Sequence, residues 1–337
     1  MPANLNDFAL VVGINDYPSF RSLTGAIRDA TDFASWLKDQ NTGGGLPDAN
    51  CAVVLSTPDS GRPAHEQIDE ALEGIFNAVA VEGGRRFYFY FSGHGIATDQ
   101  TKNHLCLAKW SEKWRKNALD VQDYLNTVAA TGKFEEIIFL LDCCRVRVLG
   151  AGGLVCNLAL PRPNNAPDTR IFMANATEVF TAAFEAEVAG SAQSDNRGHF
   201  TQALIEGLQG AAAGPGGGVS AADLKNYLET NVPRIAAERK HAQTPEVTNG
   251  LLRATRFGSA QPNAIAGWPV TITFSAARAA DILLEDSQTD EVRRGPTSTG
   301  PWELHLNAGL HLLTDLGSNE EKSFRVKAGM GVHHVQF

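Results

Sequence analysis

The chain has 337 residues, 43% of them hydrophobic and 20% charged, with a formal net charge of −9. That composition excludes a disordered or fibrous chain and predicts one large folded unit with a smaller one beside it. The acidic balance argues against nucleic acid or an anionic membrane as partner and is compatible with a basic peptide. The five cysteines (Cys51, Cys106, Cys143, Cys144 and Cys156) are odd in number and follow no framework spacing, so a reducing, cytoplasmic setting is expected rather than a disulfide scaffold. The opening MPANLNDF lacks the basic and apolar regions of a signal peptide, and no window approaches the ~18 uninterrupted apolar residues of a membrane span.

Residues 8–15 (FALVVGIN) are a short apolar run ending in a polar turn and read as a buried strand. In TGAIRDATDFASWLKDQ, Ile27, Ala30, Ala34 and Leu37 fall at helical spacing, with Thr24 as candidate N-cap and GGG at 43–45 as terminator. Residues 51–56 predict a second strand and 63–80 a second helix. RFYFYFSGHG (86–95) reads as a strand stopped by glycines, 119–130 as a helix, and EEIIFLLDCC (135–144) and RIFMAN (170–175) as strands. GHFTQALIEGLQG and SAADLKNYLETNV are amphipathic helices. Strands alternating with helices predict an α/β fold with a largely parallel sheet, whose functional groups gather beyond the strands' carboxyl ends. SGHG and DCCR both lie at such ends.

Two segments interrupt the pattern. Residues 145–169, rich in Gly, Pro and Asn, read as a long loop, and 210–219 as a flexible connector. After residue 258 short strands separated by turns predict a small all-β sandwich. The expected division is therefore 1–258 and 265–337. The β unit is expected to dock a partner, a substrate or the larger domain.

A thiol hydrolase needs a thiolate, a base within reach, and N–H donors aimed at the developing oxyanion. Cys144 supplies the thiol and His94, 50 positions earlier, the base. The peptide N–H groups of Gly95 and Cys144 are the oxyanion donors. Alternation along a strand puts Asp142 with Cys144 on one face and turns Cys143 to the core; it likewise pairs Ser92 with His94. This predicts one cleft holding all four. Adjacent cysteines lack zinc-ligand spacing, and no D-x-D-x-D-G loop signals calcium, so no cofactor is expected. Tyr17 is expected to pack, Arg85 and Arg86 to form a polar strand start, and His333 and His334 to lie on an exposed edge strand.

In chain order, FALVVGINDY, LTGAIRDA, FYFYFSGHG, IIFLLDCCR, GHFTQALIEGL and QTPEVTNG resemble the motifs of caspase and metacaspase-like cysteine peptidases, across residues 6–257. The ordered set carries the resemblance. It implies a caspase-like three-layer α/β fold and a cysteine endopeptidase. Caspases read Q-A-C-R-G at the nucleophile and metacaspases D-x-C-H-S-G. Asp142 and Cys144 match the second pattern; Arg145 and Val146 do not. In metacaspase-like enzymes that Asp, an Asp within G-C-x-N-D-A of the first helix, and the serine of SGHG line the primary specificity pocket. The matches are Asp142, Asp29 (in GAIRDA, where Ala26 replaces the cysteine) and Ser92.

Two carboxylates favour a cation and repel an aspartate, so cleavage after Arg or Lys is expected. The resemblance also implies a latent protease activated by loop cleavage, through its own activity or an upstream protease, in a bacterial antiviral-defence or cell-death pathway. Arg147 and Arg162 are candidate processing sites, among Arg145 and Arg170 at the same loop; Asp168 and Asp195 would serve an aspartate-reading pocket. The alternative is a non-catalytic or Asp-specific caspase-like scaffold or signalling protein.

Overall fold

Five of the predicted apolar runs pair side by side in a computed structural model that describes residues 4–58, 60–81, 83–98, 102–148, 151–163, 168–177, 197–213, 218–239, 241–258, 268–274, 278, 280–287, 289–307, 309–326 and 332–337. Strands β1 (Asp7–Gly13), β2 (Cys51–Leu55), β3 (Gly84–Ser92), β4 (Phe134–Asp142) and β5 (Arg170–Thr177) are parallel, and β6 (Thr244–Asn249) adds antiparallel to β5. The order is β6-β5-β4-β3-β1-β2. Every residue of β1 is buried, as expected of a strand covered on both faces.

Helices α1 (Ala26–Lys38), α4 (His199–Glu206) and α5 (Ala221–Glu238) cover one face, where Val11, Tyr90 and Leu140 pack with Phe33, Phe200 and Leu228. Helices α2 (His65–Ala78) and α3 (Val121–Ala130) cover the other, where Leu10, Phe91, Leu141 and Cys143 pack with Ile68 and Leu125. The alternation of odd and even positions between these two clusters decides which strand-end residue reaches which layer.

Beyond the carboxyl ends lies a second, small sheet, ordered Ala118–Asp120, Asn103–Cys106, Gly95–Ala97, Val146–Arg147. Its strands are too short to carry a period in the sequence, which is why residues 97–118 had no predicted element. The loop at 145–169 is correspondingly less free than expected. Leu154 bonds to Ala118 and Asp120, the Cys156 N–H donates to Asp123 at 2.8 Å, and the Asn157 N–H donates to Asp69 at 3.2 Å.

Three local expectations need correction. Thr24 is not the N-cap of α1: Gly25 holds that position without a side-chain cap, and Asn15 Oδ1 accepts the Ile27 N–H at 3.2 Å from the turn after β1. Helix α5 continues through Pro233 to Glu238, and the first residues of the expected connector extend α4 as a wide turn, Gly207–Ala211, with Gly210 at φ 116°. Arg86 is no solvated strand start. It is 2% exposed, and its guanidinium donates to Glu136 Oε2 on β4 at 2.6 and 2.9 Å.

At the C-terminal end two sheets share one core of Val270, Ile272, Leu284, Trp302, Leu313 and Val335. One is ordered Trp302–Leu306, Trp268–Thr273, His333–Gln336; the other Glu291–Gly295, Ile282–Glu285, Gly309–Asp315, Glu321–Val326. His333 and His334 thus lie on an edge strand. This β unit meets α4 and α5. Asn231 Nδ2 donates to the Ser287 carbonyl at 2.6 Å, Arg325 pairs with Glu206 at 2.8 Å, and Leu310 joins the core beneath these helices.

Gly13, at the end of β1, sets how closely α1 approaches: a Cβ there would lie 2.7 Å from Ala30 Cβ and 2.8 Å from the Ala26 carbonyl. Gly13→Ala is expected to destabilise the fold by about 1–3 kcal/mol through overpacking, measured by urea unfolding.

Candidate active site

The parallel register of β3 and β4 pairs Arg86 with Glu136 and Ser92 with Asp142. Both chains then leave the sheet. They pair again in the small sheet, Ile96 with Val146 and Ala97 with Arg147. The offset is the same on both sides of the gap, so His94 and Cys144 fall opposite one another within it. Adjacent parallel strands run about 4.8 Å apart, which is close enough for their side chains to meet. Both residues line one cavity of about 230 Å³, with Phe20, Gly95, Ile96, Cys106, Trp110, Val146 and Val148 on its walls. Cys144 is half-buried.

Several contacts fix the imidazole. His94 Nε2 is 2.7 Å from the Arg21 carbonyl. A carbonyl oxygen only accepts, so Nε2 carries the proton and Nδ1 is left as the basic nitrogen. The His94 peptide N–H donates to Tyr17 Oη at 2.9 Å, and that hydroxyl donates to the Cys106 carbonyl at 3.2 Å. The rings of Tyr17 and Phe20 flank the imidazole at 4.7 and 4.9 Å. Tyr17 therefore does more than pack. Gly93 makes room for it, since a Cβ there would lie 2.7 Å from the Tyr17 hydroxyl.

The Cys106 N–H donates to the His94 carbonyl at 2.9 Å. Bonded and non-bonded pairs alternate along an antiparallel ladder, so the Gly95 N–H faces away from Asn103–Cys106, toward the side on which the DCC segment runs. Gly95 must be glycine for that segment to come so near: a Cβ would sit 2.8 Å from Cys143 Sγ and would meet the Cys144 carbonyl. Cys143 is 4% exposed and packs in the α2/α3 core, as expected, and burial pushes its thiol well above the ordinary value.

Asp29, Ser92 and Asp142 gather on the opposite face, beneath the first turn of α4. They do not line the cavity that holds Cys144 and His94. The expectation of a single cleft extended strand alternation past Asp142 and Ser92, where both strands end. Asp142 is 1% exposed, and its Oδ2 accepts from the Thr201 N–H at 3.0 Å and the Thr201 hydroxyl at 2.6 Å. Tyr90 Oη lies 2.6 Å from that hydroxyl. Asp29, fully buried on α1, accepts the Gly198 N–H at 2.9 Å. The N-terminal turn of α4 thus donates to both carboxylates, which are favoured there by the helix dipole.

Burial nevertheless dominates. It pushes Asp142 up to about 6 against the lowering effect of Thr201, and it pushes Asp29 well above the carboxylate range with the help of the Asp142 charge. Arg197, ion-paired with Asp32, acts on Asp29 in the opposite sense. Thr201, Gly198 and Tyr90 were missed in the sequence, where GHFTQ reads only as the start of a helix.

Among the loop arginines, Arg145 pairs with Glu246 on β6 at 2.7 Å and Arg170 with Glu135 at 3.7 Å, while Arg162 is exposed. Asp168 is exposed as well. The Arg147 side chain and Asp195 lie outside the described residues. No group of three or more metal-ligating side chains occurs among the described residues, and no described helix is long and apolar enough to cross a membrane.

The sequence model of the caspase domain, peptidase family C14, matches residues 6–255. A protein named as a probable protease from a Desulfuromonadales bacterium is 32% identical over 222 residues, 61% of this chain; the chain spans only 26% of that relative's length. Two solved structures are similar over 77% of this chain and 92% of theirs. They are caspase-1 from Spodoptera frugiperda, at 18% identity and TM-score 0.44, and its pro-form, at 16% and 0.43.

The two adjacent thiols are expected to differ in reactivity. Iodoacetamide should modify Cys144 at least ~10-fold faster than Cys143, because a buried thiol with a raised pKa holds little thiolate. Peptide mapping by mass spectrometry of the native protein reads the ratio.

Proposed function

Because the chain belongs to the caspase domain family, we propose that it is a cysteine endopeptidase with a Cys144–His94 dyad that cleaves after Arg or Lys. The observation that carries this reading is the unbroken register offset that sets His94 against Cys144 in one cavity. His94 Nδ1 takes the Cys144 proton, and the thiolate attacks the carbonyl carbon. The N–H groups of Gly95 and Cys144 hold the oxyanion. The C–N bond then breaks as His94 returns the proton to the leaving amine, and water hydrolyses the thioester to regenerate the thiol. The Arg21 carbonyl holds the imidazole in the tautomer this needs, and Tyr17 fixes its backbone and flanks its ring.

Asp29 and Asp142 supply the preference for a basic residue. They oppose the aspartate-reading alternative by like-charge repulsion. Their closure beneath α4 supports a latent form in which Arg197 and Gly198 shift before a substrate cation reaches them. Arg197, facing Asp29 and paired with Asp32, is the group that cation would replace. Arg162, exposed and C-terminal to the anchor at Asn157, is the candidate processing site.

Cys144→Ala and His94→Ala should each lower kcat/KM on an Arg-terminated fluorogenic peptide by about 10³-fold or more, while Cys143→Ala retains activity. Retention by Cys144→Ala would end the proposal.

A cation binds the ionised pair, so KM for the Arg peptide should fall as pH rises through about 6, where Asp142 loses its proton. The groups facing Asp142 are Asp29 on α1, Tyr90 on β3, Thr201 on α4 and the neighbouring Cys143. Thr201 stabilises the charged form, so Thr201→Val should move the KM profile to higher pH, and Thr201→Ser should restore it. An unchanged profile would remove Thr201 as a positioning residue.

A further inference from the structure

We infer that the cavity beside the dyad is an apolar subsite for the residue that immediately follows the cleaved bond. This inference rests on the dyad proposed above and extends it to the leaving side of the substrate.

The cavity and the carboxylate pair lie on opposite faces of the central sheet. Ile96, Cys106 and Trp110 belong to the core on the α2/α3 face, with Phe20 and Val148 packed against it. Asp29 and Asp142 meet α4 on the other face. In an extended peptide, neighbouring side chains point to opposite sides. A substrate with its basic side chain turned toward the carboxylates therefore turns the adjacent side chains toward the cavity.

The chemistry of His94 selects which neighbour enters. Its imidazole protonates the leaving amine, so the first residue of the leaving fragment sits on the histidine side. The apolar walls are built around that ring. Phe20 packs edge-on against His94 at 4.9 Å and against Trp110 at 4.8 Å, in one aromatic row leading away from the dyad. Val146 and Val148 close the cavity from the chain that follows Cys144.

Size and polarity agree with one branched or aromatic side chain. The volume is about 230 Å³, and an apolar cavity of roughly 150 Å³ already takes a benzene ring. Glu112 and Arg115 are the charged residues at its margin, and both are exposed. The Trp110 Nε1–H is itself buried, so this side chain presents ring carbon to the cavity.

The test uses internally quenched peptides, identical except for Leu, Phe, Gly or Asp after the basic residue, with wild type, Trp110→Ala and Val148→Asp. Wild type is expected to cleave the Leu and Phe peptides with a kcat/KM about 10-fold or more above Gly, and Asp worst. Both variants should bring the Leu-to-Gly ratio close to one. General damage to the fold lowers every peptide alike and leaves that ratio unchanged, so a ratio that survives in both variants would overturn the assignment. A flat wild-type panel would overturn the subsite while leaving the dyad in place. Cleavage after a non-basic residue would remove the carboxylate pocket, and the residue following those cuts, read by mass spectrometry, would still decide the subsite. A protein that still cleaves nothing after limited proteolysis at Arg162 has opened the latent form would overturn the catalytic reading and the subsite with it.

Discussion

The site depends on one parallel register, held from one end of the sheet to the other and interrupted once. Arg86 stands beside Glu136 where β3 and β4 begin, Ser92 beside Asp142 where they end, and Ile96 beside Val146 after the break. Within the break the last bond between the two chains runs from the Gly93 N–H to the Asp142 carbonyl at 3.2 Å, and they continue at strand spacing to the next pair. A base and a thiol placed there are opposed without any direct contact being needed to bring them together. The buried Arg86–Glu136 pair contributes by fixing the register at its far end. Slipping by one residue would leave two charges unpaired in the core, a cost of several kcal/mol. Gly93 and Gly95 then permit the close approach of Tyr17 and of the DCC segment on either side of His94.

The same strands separate two kinds of chemistry. Side chains of opposite parity enter opposite layers, so Asp142 reaches α4 while Cys143 reaches the α2/α3 core. Two carboxylates are costly to bury together, and α4 offsets part of that cost with N–H donors from its first turn. What remains is a pair with raised affinity for protons and an equally strong demand for a cation. The C-terminal β unit bears on the opposite end of α4 through Arg325 and Glu206, so the helix that covers the two carboxylates is held at both ends.

Much of this was legible in the sequence. The apolar runs of β1, β3 and β4 are uninterrupted because both faces are covered, and SGHG and DCC marked their ends. That Asp29 lies near Asp142 could be expected by resemblance, because GAIRDA keeps the family's spacing. The rest depends on tertiary neighbours. The small sheet consists of strands of two to four residues with no period of their own. The Arg21 carbonyl that sets the His94 tautomer has no side-chain signature. Arg86 reads as a solvated charge until β4 brings Glu136 beside it, and Thr201 reads as a helix residue until Asp142 accepts from it. The single-cleft expectation failed because alternation holds only while the chain stays in the strand, and both chains leave it two residues before the dyad.

The most direct test of the opposed dyad needs no substrate. The rate of Cys144 alkylation would be followed against pH in wild type and in His94→Ala. The account predicts that removing the imidazole moves the half-maximal rate to higher pH, because the base that withdraws the thiol proton is gone. Coincident profiles would mean that His94 and Cys144 do not act on one another, and would contradict the account at its centre.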